Sequence, residues 1–164
     1  MKFDPYKHHR RSIRLKEYDY AQPGWYFITV CSFNREFLFG NITDQQMILN
    51  AYGRIVEKEW IKTSKIRNNV FIDEYIIMPN HIHGIIVINN VGAHCNVPLP
   101  NTNHAGRFEQ FGKSSKNSIP TIIKIFKSVV TKNINKIRNA PGLPVWQRNY
   151  YACPDEYRGT CNTK

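Results

Sequence analysis

Residues 75–89 read YIIMPNHIHGIIVIN, and this stretch decides the fold because it holds two apolar runs joined by a short polar break. The residues on both sides of the break are rich in β-branched side chains, which favours strands at 70–78 and 81–88. Pro79 and Asn80 between them are turn residues. The stretch therefore predicts a β-hairpin whose turn lies directly before two histidines.

These histidines, His81 and His83, are two residues apart. Because alternate side chains of a strand share a face, we expect both imidazoles to point the same way. Gly84 beside them would let a ligand or another backbone approach closely. Two adjacent imidazoles can bind one divalent cation and leave its other positions to water and phosphate oxygens. The alternative is that a lone His-x-His pair is merely solvated or hydrogen-bonded, which is the commoner case.

Composition and charge indicate a globular protein that binds a polyanion. The chain has 164 residues, 41% of them hydrophobic, and a formal charge of +11, which suits one domain with a real core. Basic residues cluster near the N-terminus and between Lys113 and Arg148, and no Asp or Glu lies between Gln110 and Pro154. Solubility alone would not require such clustering. Nucleic acid is the common partner of so basic a domain, and no basic amphipathic helix with exposed Trp or Leu favours a membrane surface.

The expected compartment is the cytoplasm, on the nucleoid. The apolar runs are too short to span a bilayer, and the basic N-terminus has no apolar segment typical of a secretory signal. The four cysteines show no CxxC spacing, so we expect free thiols in place of disulfides or a zinc site. They are Cys31, Cys95, Cys153 and Cys161.

Two further elements are predicted in the first half of the chain. Residues 25–33, WYFITVCSF, are bulky and apolar on both faces, which favours a central strand. Residues 43–46 match a capping box, so a helix is predicted from there to about Lys65. Gly53 inside it is expected to cost about 1 kcal/mol relative to alanine. The expected buried face contains Ile48, Leu49, Tyr52, Ile55, Val56 and Trp60.

A second helix is predicted over residues 119–138, with Ser118 as its N-cap and Pro120 in its first turn. Its lysines are expected to stay solvated, and residues 145–151, VWQRNYY, predict a fourth short strand. The expected core stripe of this helix is Ile122, Ile125, Phe126, Val129, Val130, Ile134 and Ile137.

The order strand, helix, strand, strand, helix, strand predicts an α+β protein of the ferredoxin-like, split βαβ type. Such a fold has an antiparallel sheet with both helices on one face. We expect a basic arm over residues 1–20, one domain over 21–151 with a variable loop at 90–118, and a tail over 152–164. The open face of such a sheet is a known platform for single-stranded nucleic acid.

Basic side chains are the candidates for contacts with nucleic acid. Arginine can form paired hydrogen bonds with phosphate or guanine, and tyrosines near the arm can stack on bases. The alternative for the arm is a disordered basic tail, and the alternative for the helix lysines is an ordinary solvated face. The candidates are Arg10, Arg11, Arg14, Lys16, Lys124, Lys127 and Arg148.

Four blocks of sequence together resemble a known family. They read RRSIRLKEYDY, GWYFITVCSFNREFLFG, MPNHIHG and VWQRNYY, in that order, and they cover most of residues 9–151. MPNHIHG resembles the HUH motif (His, hydrophobic residue, His) of the single-tyrosine transposases of small insertion sequences. The four blocks are most similar to those of the REP-associated tyrosine transposases.

The resemblance implies metal-dependent cleavage and rejoining of single-stranded DNA, often beside a hairpin, in transposition. By this resemblance, His81 and His83 would hold Mg²⁺ or Mn²⁺, which orients the scissile phosphate. A tyrosine would attack that phosphate and form a phosphotyrosine intermediate. The implied partner is single-stranded or hairpin DNA. Members of the family occur as monomers and as dimers, so a homodimer is one of two expected states.

The chain departs from the family after Tyr151. The family continues with an acidic residue, a histidine, two apolar residues and an arginine, and then a helix with the nucleophilic tyrosine; here ACPDEYRGTCNTK follows. We expect a frameshift truncation, weak or absent cleavage, and partial exposure of Val145 and Trp146. No catalytic tyrosine is assigned among Tyr150, Tyr151 and Tyr157, although one of the first two is expected to pack in the core.

Two alternative functions follow from the same residues. The chain could be a DNA-binding remnant that holds hairpin DNA without cutting it. It could also be an RNA-binding module of the RRM type, but VFIDEYII lacks the paired aromatic residues and glycines of that motif.

Overall fold

The structure is a computed structural model that describes residues 18–89 and 117–155. Several residues singled out in the sequence lie outside this part of the chain. They are Arg10, Arg11, Arg14 and Lys16 of the arm, residues 90–116 of the predicted loop, and Tyr157.

The described chain forms six strands and two helices. Four strands make one antiparallel sheet in the order β4-β5-β1-β6, and β2 and β3 form a separate two-stranded ribbon. This order, with both helices on one face, is the predicted ferredoxin-like arrangement of the α+β class. The elements are β1 (Gly24–Cys31), a 3₁₀ turn (Phe33–Arg35), β2 (Gly40–Thr43), β3 (Gln46–Leu49), α1 (Ala51–Lys65), β4 (Val70–Met78), β5 (His81–Ile88), α2 (Ile119–Ile137) and β6 (Tyr151–Pro154).

The predicted hairpin of β4 and β5 is present, with β4 at the edge of the sheet and β5 as one of its two inner strands. β4 and β5 pair with Met78 opposite His81, so Pro79 and Asn80 form the turn between them. The register shifts between Ile72 and Tyr75, which marks a bulge in β4. β1 lies between β5 and β6, which confirms its predicted central position.

The helices cover the face of the sheet to which the even-numbered residues of β5 point. Ile82 and Ile86 are fully buried there. Trp60 of α1 packs directly against Gly84, and its indole ring contacts Phe126 of α2 edge-on, with 5.2 Å between ring centroids. The odd-numbered residues of β5, which include both histidines, therefore point to the opposite face.

The predicted capping box at residues 43–46 is wrong. Thr43 ends β2, and Asp44 and Gln45 form a tight turn into β3 with φ angles of 49° and 62°. Two successive residues with positive φ are typical of the turn that joins two strands of a hairpin. Hairpin formation therefore prevails over the capping pattern, and Ile48 is exposed on β3 instead of buried on a helix.

The first helix begins at Ala51, because Asn50 caps it. The Asn50 side chain accepts hydrogen bonds from the backbone N–H groups of Tyr52 and Gly53. Gly53 lies against the backbone carbonyl oxygen of Phe39, at a place where a Cβ atom would overlap that oxygen. The close approach of these two backbone segments therefore requires glycine at position 53. The low helix propensity of glycine, which is all that the sequence indicates, does not reveal this requirement.

The second helix matches the prediction closely. It runs from Ile119 to Ile137 after Ser118, with Pro120 in its first turn, although the Ser118 side chain does not cap the backbone. Two predicted core residues, Ile125 and Ile137, are exposed, because the buried face is rotated about the helix axis and includes Ile119 and Ile123 instead. The buried apolar residues of the helix are Ile119, Pro120, Ile122, Ile123, Phe126, Val130 and Ile134.

The fourth sheet strand lies later in the chain than predicted. β6 pairs with β1 over Tyr151–Pro154, so it includes residues that the prediction assigned to the tail. The preceding segment makes only one isolated bridge, between Trp146 and Ser32. Val145 and Trp146 are both buried, and Trp146 packs on Phe39 with 5.0 Å between ring centroids. The expectation that these two residues would be partly exposed is therefore wrong.

Within residues 18–89 and 117–155, no helix is both long enough and apolar enough to cross a membrane. Cys31 carries a free thiol, as expected, whereas Cys153 is disulfide-bonded. The prediction of free thiols is therefore confirmed for Cys31 and wrong for Cys153.

Candidate metal and nucleic-acid site

The two histidines lie side by side on β5, as their spacing predicts. The centroids of the His81 and His83 rings are 4.6 Å apart, and the ring planes meet at 77°. Ile82 between them is buried on the helix side. Two imidazoles this close can approach one cation from the same side.

Each imidazole is held by one hydrogen bond at its Nδ1 atom. The Nδ1 atom of His81 lies 2.7 Å from Oδ1 of Asn80, and the Nδ1 atom of His83 lies 2.8 Å from Oγ1 of Thr29. Phe27 also stacks on the His83 ring, with 5.4 Å between centroids. Partners of this kind orient metal-binding histidines and set which ring nitrogen is left for the metal.

The sequence pattern does not reveal the contacts of both partners with the histidines. Asn80 fits the pattern of a turn residue, although its adjacency to His81 is visible in the sequence. Thr29 meets His83 only because β1 pairs with β5 in one register, with Thr29 opposite His83. Neither strand contains a signal that fixes this register before the fold is known.

The turn that precedes the histidines is anchored by the segment after β1. The backbone carbonyl of Asn80 accepts from the N–H of Ser32 at 2.8 Å, and that of Pro79 accepts from the N–H of Phe39 at 2.9 Å. The Asn80 side chain also donates to the backbone carbonyl of Arg35 at 3.2 Å. The position of Asn80 beside His81 is therefore determined by the fold.

Both histidines are held in their neutral form at neutral pH. Burial lowers the pKa of His81 below its ordinary 6.5, and the nearby His83 and Arg35 lower it further. Burial also lowers the pKa of His83. Neutral imidazole is the form that binds a metal ion, so protons compete little at pH 7.

These lowered pKa values predict that the protein loses stability in mild acid. The unfolded chain takes up protons at these histidines near pH 6.5, whereas the folded chain resists protonation. The contribution of His81 and His83 to folding is therefore complete above that pH and is lost as the pH falls through their folded pKa values. Urea denaturation between pH 7.5 and pH 5 should show this decline. The double variant His81→Gln, His83→Gln should decline less, and an equal decline would contradict the prediction.

The histidine face also carries exposed aromatic side chains. Trp25 on β1 and Phe71 on β4 both lie opposite Val87 of β5. Phe27 lies opposite Ile85, which is nearer to His83 along β5. Trp25, Phe27 and Phe71 are 47%, 36% and 46% exposed. We call these three side chains the aromatic patch. Exposed aromatic rings on a sheet face can stack on unpaired bases.

Tyr151 lies on this face as well. It pairs with Thr29 across β6 and β1, and Thr29 pairs with His83, so the three residues form one row on the same side of the sheet. Burial raises the pKa of Tyr151. Tyr150 points the other way and packs against the core, so the prediction that one of these two tyrosines packs inward is confirmed.

The basic candidates in the described part of the chain are placed differently from one another. Lys124 and Arg148 are exposed. Lys127 is half-buried, and its Nζ donates to the backbone carbonyls of Gln147 at 2.5 Å and Arg148 at 3.1 Å. Burial lowers the pKa of Lys127 to about 8. Its prediction as a solvated lysine is wrong, because the ammonium group anchors the segment before β6.

The donor set fits a cation that keeps several ligands from outside the protein. Within the described residues, no group of three or more His, Cys, Asp or Glu side chains could hold a metal ion. The two imidazole nitrogens would be ligands from the protein, and water and phosphate oxygens could take further positions. Nitrogen donors suit Mn²⁺ better than Mg²⁺, which prefers oxygen ligands.

Comparison with known proteins gives the following similarities. No family model matches the chain. A solved REP-associated tyrosine transposase bound to a REP hairpin aligns over 90% of this chain, with 15% identity and a TM-score of 0.45, and this chain spans 61% of its length. A putative transposase from Deinococcus radiodurans aligns over 85% of each chain, with 11% identity and a TM-score of 0.48. An uncharacterized protein of Haemophilus influenzae is 48% identical over 145 residues, which are 88% of this chain and 77% of the relative.

Proposed function

The chain belongs to the same family as the Haemophilus influenzae protein, and we propose that it is a transposase-like protein that binds single-stranded or hairpin DNA. The observation that carries this proposal is the pair of clustered imidazoles of His81 and His83 on a face with exposed aromatic rings. The resemblance of four sequence blocks to REP-associated tyrosine transposases supports the same function.

The histidines and the aromatic patch would contact different parts of the DNA. His81 and His83 would hold a divalent cation, Mn²⁺ or Mg²⁺, which when bound draws charge from a phosphate and orients it. Phe27 stacks on His83, and Trp25 and Phe71 lie two residues further from His83 in the strand register than Phe27 does. At about 3.3 Å per residue, the three aromatic positions lie about 7 to 14 Å from His83, with Phe27 the nearest. The three rings are therefore within reach of the bases that flank the bound phosphate.

The charge of the chain suits a DNA backbone. The formal charge is +11, and the exposed Lys124 and Arg148 lie in a span that contains no acidic residue. The basic residues of the arm, Arg10 to Lys16, would add further phosphate contacts. Such a protein is expected on the nucleoid in the cytoplasm.

DNA binding is predicted to weaken steeply with salt. If about five phosphates are neutralised, log K falls with log salt at a slope of about −3.5 to −4.5. Fluorescence anisotropy with a labelled hairpin that carries a single-stranded flank would measure this slope. The emission of Trp25 should also change on binding, because Trp60 and Trp146, the other two tryptophans, are buried. A flat salt response would contradict the prediction.

A matched pair of variants tests where the bases bind. Phe27→Ala should weaken binding to the single-stranded flank about 5- to 150-fold, because one stacked base contributes about 1 to 3 kcal/mol. Phe37→Ala is the control, since Phe37 is 72% exposed but belongs to the loop before β2 and not to the aromatic patch. Equal weakening by both variants would argue against base stacking on this face.

A denaturing gel tests the enzymatic part of the proposal. Incubation with hairpin DNA and Mn²⁺ should yield a covalent protein–DNA adduct if the chain cleaves through a phosphotyrosine. Tyr→Phe replacements at Tyr150, Tyr151 and Tyr157 would identify the nucleophile. Binding without any adduct would instead show a DNA-binding remnant, and a preference for single-stranded RNA over DNA would show an RNA-binding module.

A further inference from the structure

We propose that Asn80 is a positioning residue that locks His81 in the tautomer with hydrogen on Nδ1, so that the Nε2 lone pair stays available for a divalent cation. The inference rests on the proposed function in one respect, namely that a cation is the ligand of Nε2. The tautomer itself follows from hydrogen bonds that are independent of any ligand.

The orientation of the Asn80 amide is determined by a bond on the side away from the histidine. Its Nδ2 donates to the backbone carbonyl oxygen of Arg35 at 3.2 Å, and a carbonyl oxygen can only accept. The amide group that faces Arg35 must therefore be the NH₂ group. An exchanged amide would place two oxygens against each other and lose this bond.

The other end of the amide then determines the proton on the histidine. Oδ1 of Asn80 lies 2.7 Å from Nδ1 of His81, and an amide oxygen has no hydrogen to donate. The hydrogen in this bond must be on Nδ1. A neutral imidazole carries one such hydrogen, so its Nε2 atom is left with a lone pair.

The backbone of the turn holds the amide in place. The N–H groups of Ser32 and Phe39 bind the carbonyls of Asn80 and Pro79, at 2.8 and 2.9 Å. The amide therefore need not be ordered when a cation arrives, and the imidazole need not change its tautomer. A ligand held in its binding form by such a partner binds a metal more tightly than a free one.

His83 provides the internal comparison. Its Nδ1 lies 2.8 Å from the Thr29 hydroxyl, which can either donate or accept. Thr29 therefore holds the ring without selecting a tautomer, whereas Asn80 holds the ring and selects one. Removal of the two partners should consequently have different effects on the two histidines.

The experiment is nitrogen NMR of the metal-free protein labelled with ¹⁵N-histidine, at pH 7.5, where both rings are neutral. In the wild type, Nδ1 of His81 should be protonated and Nε2 should not. Asn80→Ala should introduce the tautomer with hydrogen on Nε2. Asn80→Asp loses the bond to the Arg35 carbonyl but should preserve the original tautomer, because a carboxylate oxygen also accepts from Nδ1. Thr29→Val should leave the His81 tautomer unchanged, and Asn41→Ala, on the exposed ribbon, serves as the matched control.

Mn²⁺ titration of the same variants measures the consequence. Asn80→Ala should weaken binding about 10- to 100-fold, as expected for loss of a partner that orients a metal ligand, and Asn80→Asp should restore much of it. The inference is overturned if wild-type His81 carries its hydrogen on Nε2, or if Asn80→Ala leaves the tautomer unchanged. Absence of Mn²⁺ binding by the wild type would overturn the proposed cation, and the metal-free spectra would still decide the role of Asn80.

Discussion

Replacing Gly84 by alanine should lower the free energy of unfolding by about 3 kcal/mol, near the upper end of the usual cost of overpacking a core. The added Cβ would lie 2.5 Å from Cζ2 of Trp60 and 3.0 Å from its Cε2. Trp60 is fully buried and its ring also contacts Phe126, so the indole has little room to move away. Urea denaturation at pH 7.5 would measure the loss.

Two further variants separate this contact from a general weakness of the strand. Ile86→Val, on the same face of β5, should cost only about 0.5 to 1.5 kcal/mol. Trp60→Leu removes the overlapping ring atoms, so Gly84→Ala should cost much less in the Trp60→Leu background. Additive costs in the double variant, or no loss in Gly84→Ala alone, would contradict the steric explanation.

The sequence predicts the hairpin that carries the site because each of its signals is local. The apolar runs, the Pro79-Asn80 turn and the i, i+2 spacing of the histidines all act within residues 70–88. The predicted strand and the shared face of His81 and His83 follow from these signals without knowledge of any distant contact. The ferredoxin-like order was also predictable, because it depends on the succession of strands and helices along the chain. The residues at which each element begins and ends do not affect it.

The errors occur where two local signals compete or where a distant contact decides. The residues at 43–46 satisfy a capping pattern, yet Asp44 and Gln45 adopt the positive φ values of a hairpin turn. Lys127 resembles a solvated helix lysine until the segment before β6 supplies carbonyl partners. In both cases the sequence near the residue supports two outcomes, and tertiary packing selects one.

The composition of the site was predictable only in part for the same reason. The ligand candidates His81 and His83 are adjacent in one strand, whereas Thr29 and Tyr151 come from β1 and β6. They join the histidines only through the register of three strands, which places all of them on one face. Exposure of the aromatic patch likewise depends on which face the two helices cover, and the alternation of side chains alone does not choose between the faces.

Removing the two histidines should lower Mn²⁺ affinity more than about 100-fold, which exceeds the cost of losing a partner that only orients a ligand. Within the described residues, no group of three or more His, Cys, Asp or Glu side chains could hold a metal ion, so the two imidazoles are the protein ligands that we propose. The double variant His81→Ala, His83→Ala would be titrated with Mn²⁺ and the free ion followed by electron paramagnetic resonance. The single variants should each lose much of the affinity, because either imidazole alone leaves one protein ligand.

The control for this prediction is Asn41→Ala, on the exposed two-stranded ribbon, which should leave Mn²⁺ binding unchanged. DNA binding gives a second comparison, because the electrostatic contacts of the basic residues do not require the imidazoles. In metal-free buffer, the double variant should therefore bind hairpin DNA with nearly the wild-type salt slope. Unchanged Mn²⁺ affinity in the double variant would refute the cation site, whereas loss of metal-free DNA binding as well would indicate that the histidines contact DNA directly.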